Sequence, residues 1–250
     1  MKKIEGGVCA AKGFTANGVH CGIRKSKIKK DLALVLSRVP ASAAAVYTTN
    51  LVKGAPLTVT RENIEDGKAQ AVICNSGNAN TCNADGLAVA REMCAITAAR
   101  LGIRPKDVIV ASTGVIGQPL DLTPILEGMD GLVKGLSVAG ALDAAQAIIT
   151  TDTYVKEAAV EFEAGGAICR LGGMAKGSGM IHPNMATMLA FITTDANIDS
   201  RCLALALKQS ADLSYNMISV DRDTSTNDMA VVLANGLAAN PQINDASGSD

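Results

Sequence analysis

Short apolar runs set the strongest limit on what this chain can fold into: they recur at 32–36, 44–48, 71–74, 108–111, 158–162, 167–171, 188–193 and 229–233. Each is too short for a helix and has the length of a buried strand. Three longer alanine- and leucine-rich stretches, 87–101, 139–149 and 201–213, read as helices. The runs before 71 and after 153 follow one another without a helix between them. Strict βαβ alternation is therefore not expected, and the pattern predicts an α+β fold built as a layered sandwich. With 250 residues, 48% of them hydrophobic and only 19% charged, there is enough apolar material for one large core or two closely packed lobes. No internal repeat interrupts the chain. Its last stretch, 234–250, is small and polar like a loop between elements, so the expectation is a truncated chain or one separated from its remainder.

Charge and aromatic content exclude several classes of partner. Lys and Arg number 23 against 24 Asp and Glu, a formal charge of −1, which gives no global field to draw nucleic acid or an anionic membrane. Aromatic residues are 2% with no Trp, which removes the stacking platforms of single-strand binders. The basic start, Met1-Lys2-Lys3, lacks the apolar run of a signal peptide, and no long uncharged apolar stretch is present, so a cytoplasmic protein is expected. Seven cysteines, Cys9, Cys21, Cys74, Cys82, Cys94, Cys169 and Cys202, are scattered and include no C-x-x-C pair. They read as buried reduced thiols with no metal site. Only His20 and His182 are available to activate one, and Cys9 and Cys21 near His20 make a weak pairing.

The densest chemical signal lies between Leu171 and Asp195, where four glycines, Lys176, His182 and Pro183 precede Ala186-Thr187 and an apolar run. A phosphate loop does not fit. The lysine precedes the second glycine where it should follow it, and Pro183 breaks any helix whose N-terminus would hold the phosphate. A threonine that starts a strand after a flexible, proline-bent loop can turn its hydroxyl onto the preceding carbonyl, here that of Ala186. An N-to-O acyl shift and hydrolysis of the ester would then leave Thr187 as a new N-terminus. Its α-amine, ordinarily of pKa about 7.7 to 8.0, would serve as base for its own hydroxyl. On the residues alone, Thr187 also reads as an ordinary strand threonine.

The stretch Lys176-Gly-Ser-Gly-Met-Ile-His-Pro-Asn-Met-Ala-Thr187-Met-Leu closely resembles the autocleavage motif of the ornithine acetyltransferases, the bifunctional glutamate N-acetyltransferase family, and the resemblance covers the whole chain. It implies an αββα-like sandwich of the self-processing threonine-nucleophile type. Residues 1–186 would be the α segment and 187–250 the start of the β segment, with cleavage between Ala186 and Thr187. Asn75-Ser-Gly-Asn-Ala-Asn80 is similar to the family's asparagine-glycine loop, and Ser112-Thr-Gly-Val-Ile-Gly117 to its oxyanion segment. The resemblance gives Thr113 and Gly114 the oxyanion role. A hydroxyl and an unhindered backbone donor after a strand can converge on one oxygen, each worth roughly 2.7 to 4 kcal/mol. The segment 149–156 is similar to a substrate-contacting stretch, which assigns Thr153 to substrate, with Thr151 as the nearer competitor. Lys176 takes the position of the substrate lysine, suited to an amino-acid carboxylate. His182 reads as structural, and Asp223-Thr-Ser-Thr-Asn-Asp228 either shapes the site or forms a turn before the last strand.

The implied reaction is an exchange in which Thr187 takes the acetyl group from N-acetylornithine and passes it to glutamate, without metal or organic cofactor, acetyl-CoA being an alternative donor in part of the family. The implied assembly is a heterotetramer of two α and two β segments. Family members run well past position 250 and carry further substrate residues there. Two other readings stand beside this one: a self-processing aminopeptidase or amidase in which water is the acceptor, and an inactive truncated relative.

Overall fold

The computed structural model describes residues 1–26, 28–182 and 188–245. Pro40 decides the layout. It cannot donate to a strand ladder, and sheets tolerate such a residue only at an edge or a bulge. It sits inside β3 (Leu32–Tyr47), whose pairing with β4 (Lys68–Asn78) shifts register between Leu36 and Ala41. One edge of β3 is shared: its first half pairs with β2 (Phe14–Val19) and its second half with β9 (Met229–Ala234). The two runs at 32–36 and 44–48 are thus one bulged strand.

Around it the described residues form a nine-stranded sheet in the order β1-β6-β7-β8-β9-β3-β4-β5, with β2 beside β3. The remaining strands are β1 (Lys2–Ile4), β5 (Val108–Val115), β6 (Lys156–Ala164), β7 (Ala167–Lys176) and β8 (Leu189–Thr194). Pairs β4–β5 and β8–β9 are parallel and the others antiparallel.

Alternation along the strands divides the sheet into two facing halves. Ala33, Val35, Val72, Cys74, Ile109 and Ala111 point to one core together with Leu189, Phe191, Met229, Val231 and Leu233 from the other half. Helix α4 (Ala141–Ile148) contributes its alanines and Ile148 to that core. The opposite faces of β3, β4 and β5, at Leu32, Leu34, Ala71, Ile73, Val108 and Val110, pack under α2 (Gly86–Leu101) and α3 (Thr123–Lys134). On the far side Ala190, Ala230 and Val232 meet Leu203, Leu207 and Ala211 of α5 (Ser200–Asp212). The order helix, sheet, sheet, helix is the expected αββα arrangement.

Two details differ from the sequence reading. Helix α1 (Ala55–Asn63), not expected from the sequence, separates β3 from β4, and α5, the helix expected at 201–213, lies between β8 and β9, so the strand runs before 71 and after 153 are each interrupted once. The chain after β9 also does more than connect: Asn235 and Asn240 are buried, and Ile243 bridges Ile198. No helix of the described residues is long and apolar enough to cross a membrane.

Phe191 lies between the two sheets and is 1% exposed. Phe191→Ala should lower unfolding free energy by about 3–5 kcal/mol through lost transfer and an unfilled cavity. Urea denaturation measures this, and a shift below about 1 kcal/mol would mean that the two halves do not share one core.

Candidate active site

The ends of β4, β5 and β7 open into one cavity of about 790 Å³. Thr113 and Gly114 from the end of β5, Lys176 from the last position of β7, and Thr150 and Thr151 from the loop after α4 all line it. Gly114 could be no other residue there. Its φ is +136°, and a Cβ would fall 2.3 Å from the carbonyl carbon of Gly77 and 2.5 Å from the nitrogen of Asn78. The β4–β5 ladder is irregular at that point, which lets the two backbones approach.

Lys176 and Thr113 are both buried, and Lys176 Nζ donates to Thr113 Oγ1 at 3.3 Å. An ammonium has only protons to give, so Thr113 acts there as acceptor and its single hydroxyl proton is left for another oxygen. Burial lowers the Lys176 pKa, while the charges of Asp152 and Asp228 oppose that effect. Asp152 is itself fully wrapped: its carboxylate accepts from Gly177 N at 2.8 Å, Thr150 N at 3.2 Å and Lys156 Nζ at 2.6 Å. Burial alone would raise its pKa, but the Lys156 ammonium and the Gly177 and Thr150 amides hold it below the usual carboxylate value. One carboxylate therefore fixes both the loop that carries Thr150 and Thr151 and the chain that leaves β7.

The polar run before β9 forms a third wall. Ser225, Thr226 and Asn227 line the cavity. Asn227 Nδ2 donates to Ala79 O at 2.7 Å and to Ser112 O at 3.0 Å, while its Oδ1 accepts from Thr81 and Thr226. It pins the β4 and β5 loops to β9. Next to it, Asp228 accepts from Met188 N at 2.7 Å, at the start of β8. In the β7–β8 ladder Lys176 lies opposite Leu189.

Sequence reasoning found Thr113, Gly114 and Lys176, and they come together. Thr153 does not join them: it is exposed and outside the cavity wall, whereas Thr150 and Thr151 are in it, Thr151 Oγ1 lying 2.6 Å from Ser178 Oγ. Ala186 and Thr187 lie outside the described residues. Asp152 was not singled out by the sequence; Asn227 and Asp228 belong to the 223–228 run that the sequence left between shaping the site and forming a turn, and Asn227 lines the cavity. The cysteine pairing near His20 is not assembled as a nucleophile. Burial pushes the Cys9 and Cys21 thiols up to about 12, and His20 Nδ1 is 3.2 Å from Asp31.

The fold is a four-layer αββα sandwich, and at the end of one of its strands a hydroxyl and a backbone amide stand beside a buried lysine in one cavity. The ArgJ family model matches residues 15–248, and the chain belongs to the ArgJ family. It is 55% identical over 245 residues to the arginine biosynthesis bifunctional protein ArgJ of Symbiobacterium thermophilum, covering 97% of this chain and 61% of that protein. The chain thus spans about three fifths of the length of that relative. Among solved structures it resembles ArgJ of Bacillus halodurans, at 46% identity and a TM-score of 0.69 over 74% of this chain and 97% of that one. It also resembles the ornithine acetyltransferase of Mycobacterium tuberculosis complexed with ornithine, at 36% identity and a TM-score of 0.66, covering 73% and 97% of the two chains.

A carboxylate held below its ordinary pKa contributes stability that is complete above the unfolded value of about 3.9 and is lost as the pH falls through the lower folded value. Urea denaturation from about pH 5 to 2.5 should therefore show a steeper acid loss for the parent than for Asp152→Asn. Parallel curves would remove Asp152 as the clasp of the site.

Proposed function

We propose that this chain forms the nucleophile and oxyanion part of an enzyme that moves an acetyl group from N-acetylornithine to glutamate. The observation that supports it best is the convergence of Thr113, Gly114 and Lys176 on one cavity, with Lys176 opposite Leu189, two residues beyond Thr187. Cleavage between Ala186 and Thr187 would divide the chain into segments 1–186 and 187–250 that stay associated, in an assembly of two copies of each.

In the first half-reaction the Thr187 hydroxyl attacks the acetyl carbonyl and its proton passes to the Thr187 amine. The Thr113 hydroxyl, whose oxygen already accepts from Lys176, and the Gly114 N–H donate to the oxyanion. Collapse breaks the amide bond, the amine returns its proton to the leaving nitrogen, and ornithine departs. Glutamate's amine then attacks the acetyl ester, the same donors hold the second oxyanion, and its collapse breaks the ester bond while the Thr187 amine passes the proton from glutamate's nitrogen to the departing Thr187 oxygen. Lys176 supplies a cation for the α-carboxylate common to both amino acids, and Thr150 or Thr151, in place of Thr153, borders that position. No metal or organic cofactor enters these steps, acetyl-CoA serves as an alternative acetyl donor, and the cytoplasm is where such biosynthesis belongs.

Intact-mass spectra of the incubated protein should show two segments of 186 and 64 residues (250 − 186), and Thr187→Ala should remain whole. An uncut parent would refute cleavage, and a processed, active Thr187→Ala protein would show that another group is the nucleophile. In a protein extended to the length of its relatives, Thr113→Ala should lower kcat by about 10²- to 10³-fold with smaller changes in KM. Lys176→Met should weaken N-acetylornithine and glutamate together by about 1.5–3 kcal/mol each. Should it affect kcat alone, its hydrogen bond to Thr113 would be its whole contribution.

A further inference from the structure

The charge of the cavity is one-sided. Its wall carries Arg24, Lys25, Lys29 and Lys176 and not one Asp or Glu among the described residues, in a chain whose net charge is −1. Two of the four cations are already engaged. Lys176 donates to Thr113 with Asp152 and Asp228 nearby, and the Arg24 guanidinium donates to Ile149 O. Asp221 is taken by the amides of Met180, itself in the cavity wall, and Ile181. Lys25 and Lys29 are exposed at the mouth, and neither has a carboxylate partner among the described residues.

The loop that carries them is built to stay in place. Asp31, fully buried at its root, accepts from Cys21 N at 2.7 Å, Gly22 N at 3.2 Å and Arg24 N at 3.0 Å. Its own carbonyl accepts from Ser76 N in the loop that also carries Gly77 of the cavity wall. Lys30 ties the other end to Asp143 on α4. The chain on either side of Lys25 and Lys29 is thus anchored, and both residues line the cavity, whose low-dielectric walls strengthen the field they project.

We propose that Lys25 and Lys29 form an anion subsite at the cavity mouth, which takes the second negative group of an incoming co-substrate while Thr113, Gly114 and Lys176 hold its reacting end. The inference rests on the acetyl-transfer reading. The group is either the side-chain carboxylate of glutamate or a phosphate of a carrier thioester, since both present oxygen anions to an ammonium. The same field opposes the side-chain ammonium of ornithine. N-acetylornithine carries the same ammonium, so the field favours the anionic co-substrate over both of them.

Titration calorimetry on the whole chain, in about 20 mM and about 200 mM salt, tests this with L-glutamate, coenzyme A and L-ornithine as probes. Lys25→Gln/Lys29→Gln, whose replaced side chains are exposed, should keep the parent Tm. It should bind glutamate or coenzyme A about tenfold more weakly, with the difference shrinking at high salt and ornithine bound as well or better. Loss confined to glutamate identifies the carboxylate, and loss confined to coenzyme A the phosphate. A parent that binds neither anion, a variant that binds both as the parent does, or an equal loss for ornithine would each overturn the proposal. Failure to transfer acetyl alongside intact, lysine-dependent anion binding would count against the acetyl-transfer reading alone.

Discussion

The architecture depends on one strand serving two sheets. β3 carries an inner face that runs through Ala33, Val35, Ala41 and Ala43 into the shared core, while its outer face passes from Leu32 and Leu34 under α2 and α3 to Ala44 under α5. A regular strand of that length would present a single partner along each edge. The bulge around Pro40 increases local twist and lets β2 and β9 follow one another on the same edge. The small inner-face side chains of the second half then leave room for Phe191 and Met229 from β8 and β9.

From that crossing the position of the site follows. Parallel β4 and β5 end together, and their backbones approach because Gly114 lacks a side chain, while the bare Cα of Gly77 leaves room for Ile23 and Arg24. The end of β7 reaches the same place from the other half, and the buried amide of Asn227 bonds both loops to the start of β9. Polar groups in such a position are costly unless each is satisfied, and here one side chain meets two carbonyls and two hydroxyls. The cavity walls are therefore fixed by hydrogen bonds that the apolar core could not supply.

Strands with β-branched or alanine runs were legible because alternation and length survive in the sequence. What escaped was governed by exceptions. β2 reads Phe-Thr-Ala-Asn-Gly-Val, whose Asn17-Gly18 step signals a turn; the structure uses the glycine because a Cβ would meet Asp143 O at 2.0 Å. α3 contains Gly128 and Gly131, which weaken a helical signal, and Gly128 faces Cys21 where a side chain would collide. At the site, strand-end residues Thr113, Gly114 and Lys176 were legible through their motif. The choice between Thr151 and Thr153 was not, because the segment 149–155 has no regular period to say which threonine faces inward. Lys25 and Lys29 look like part of a solvated charge run until the fold brings them to one cavity with the ends of β5 and β7.

The placement of Lys176 joins these threads. An ammonium that is 4% exposed would lose its proton or its place unless nearby negative charge offset the lost hydration. Asp152 and Asp228 supply that charge, and Asp152 is itself paired with Lys156. Burial still lowers the Lys176 pKa, those charges oppose the shift, and one of its protons is given to Thr113. That single bond has a directional effect: a threonine hydroxyl that already accepts from a cation cannot donate back to it. Its proton must point elsewhere, and the open direction is the cavity. An oxyanion donor is effective when it is aimed before charge develops, because no reorganisation is then required at the moment of reaction. In the proposed reaction Lys176 so contributes twice, as a cation for a substrate carboxylate and as the group that fixes the sense of the Thr113 hydroxyl.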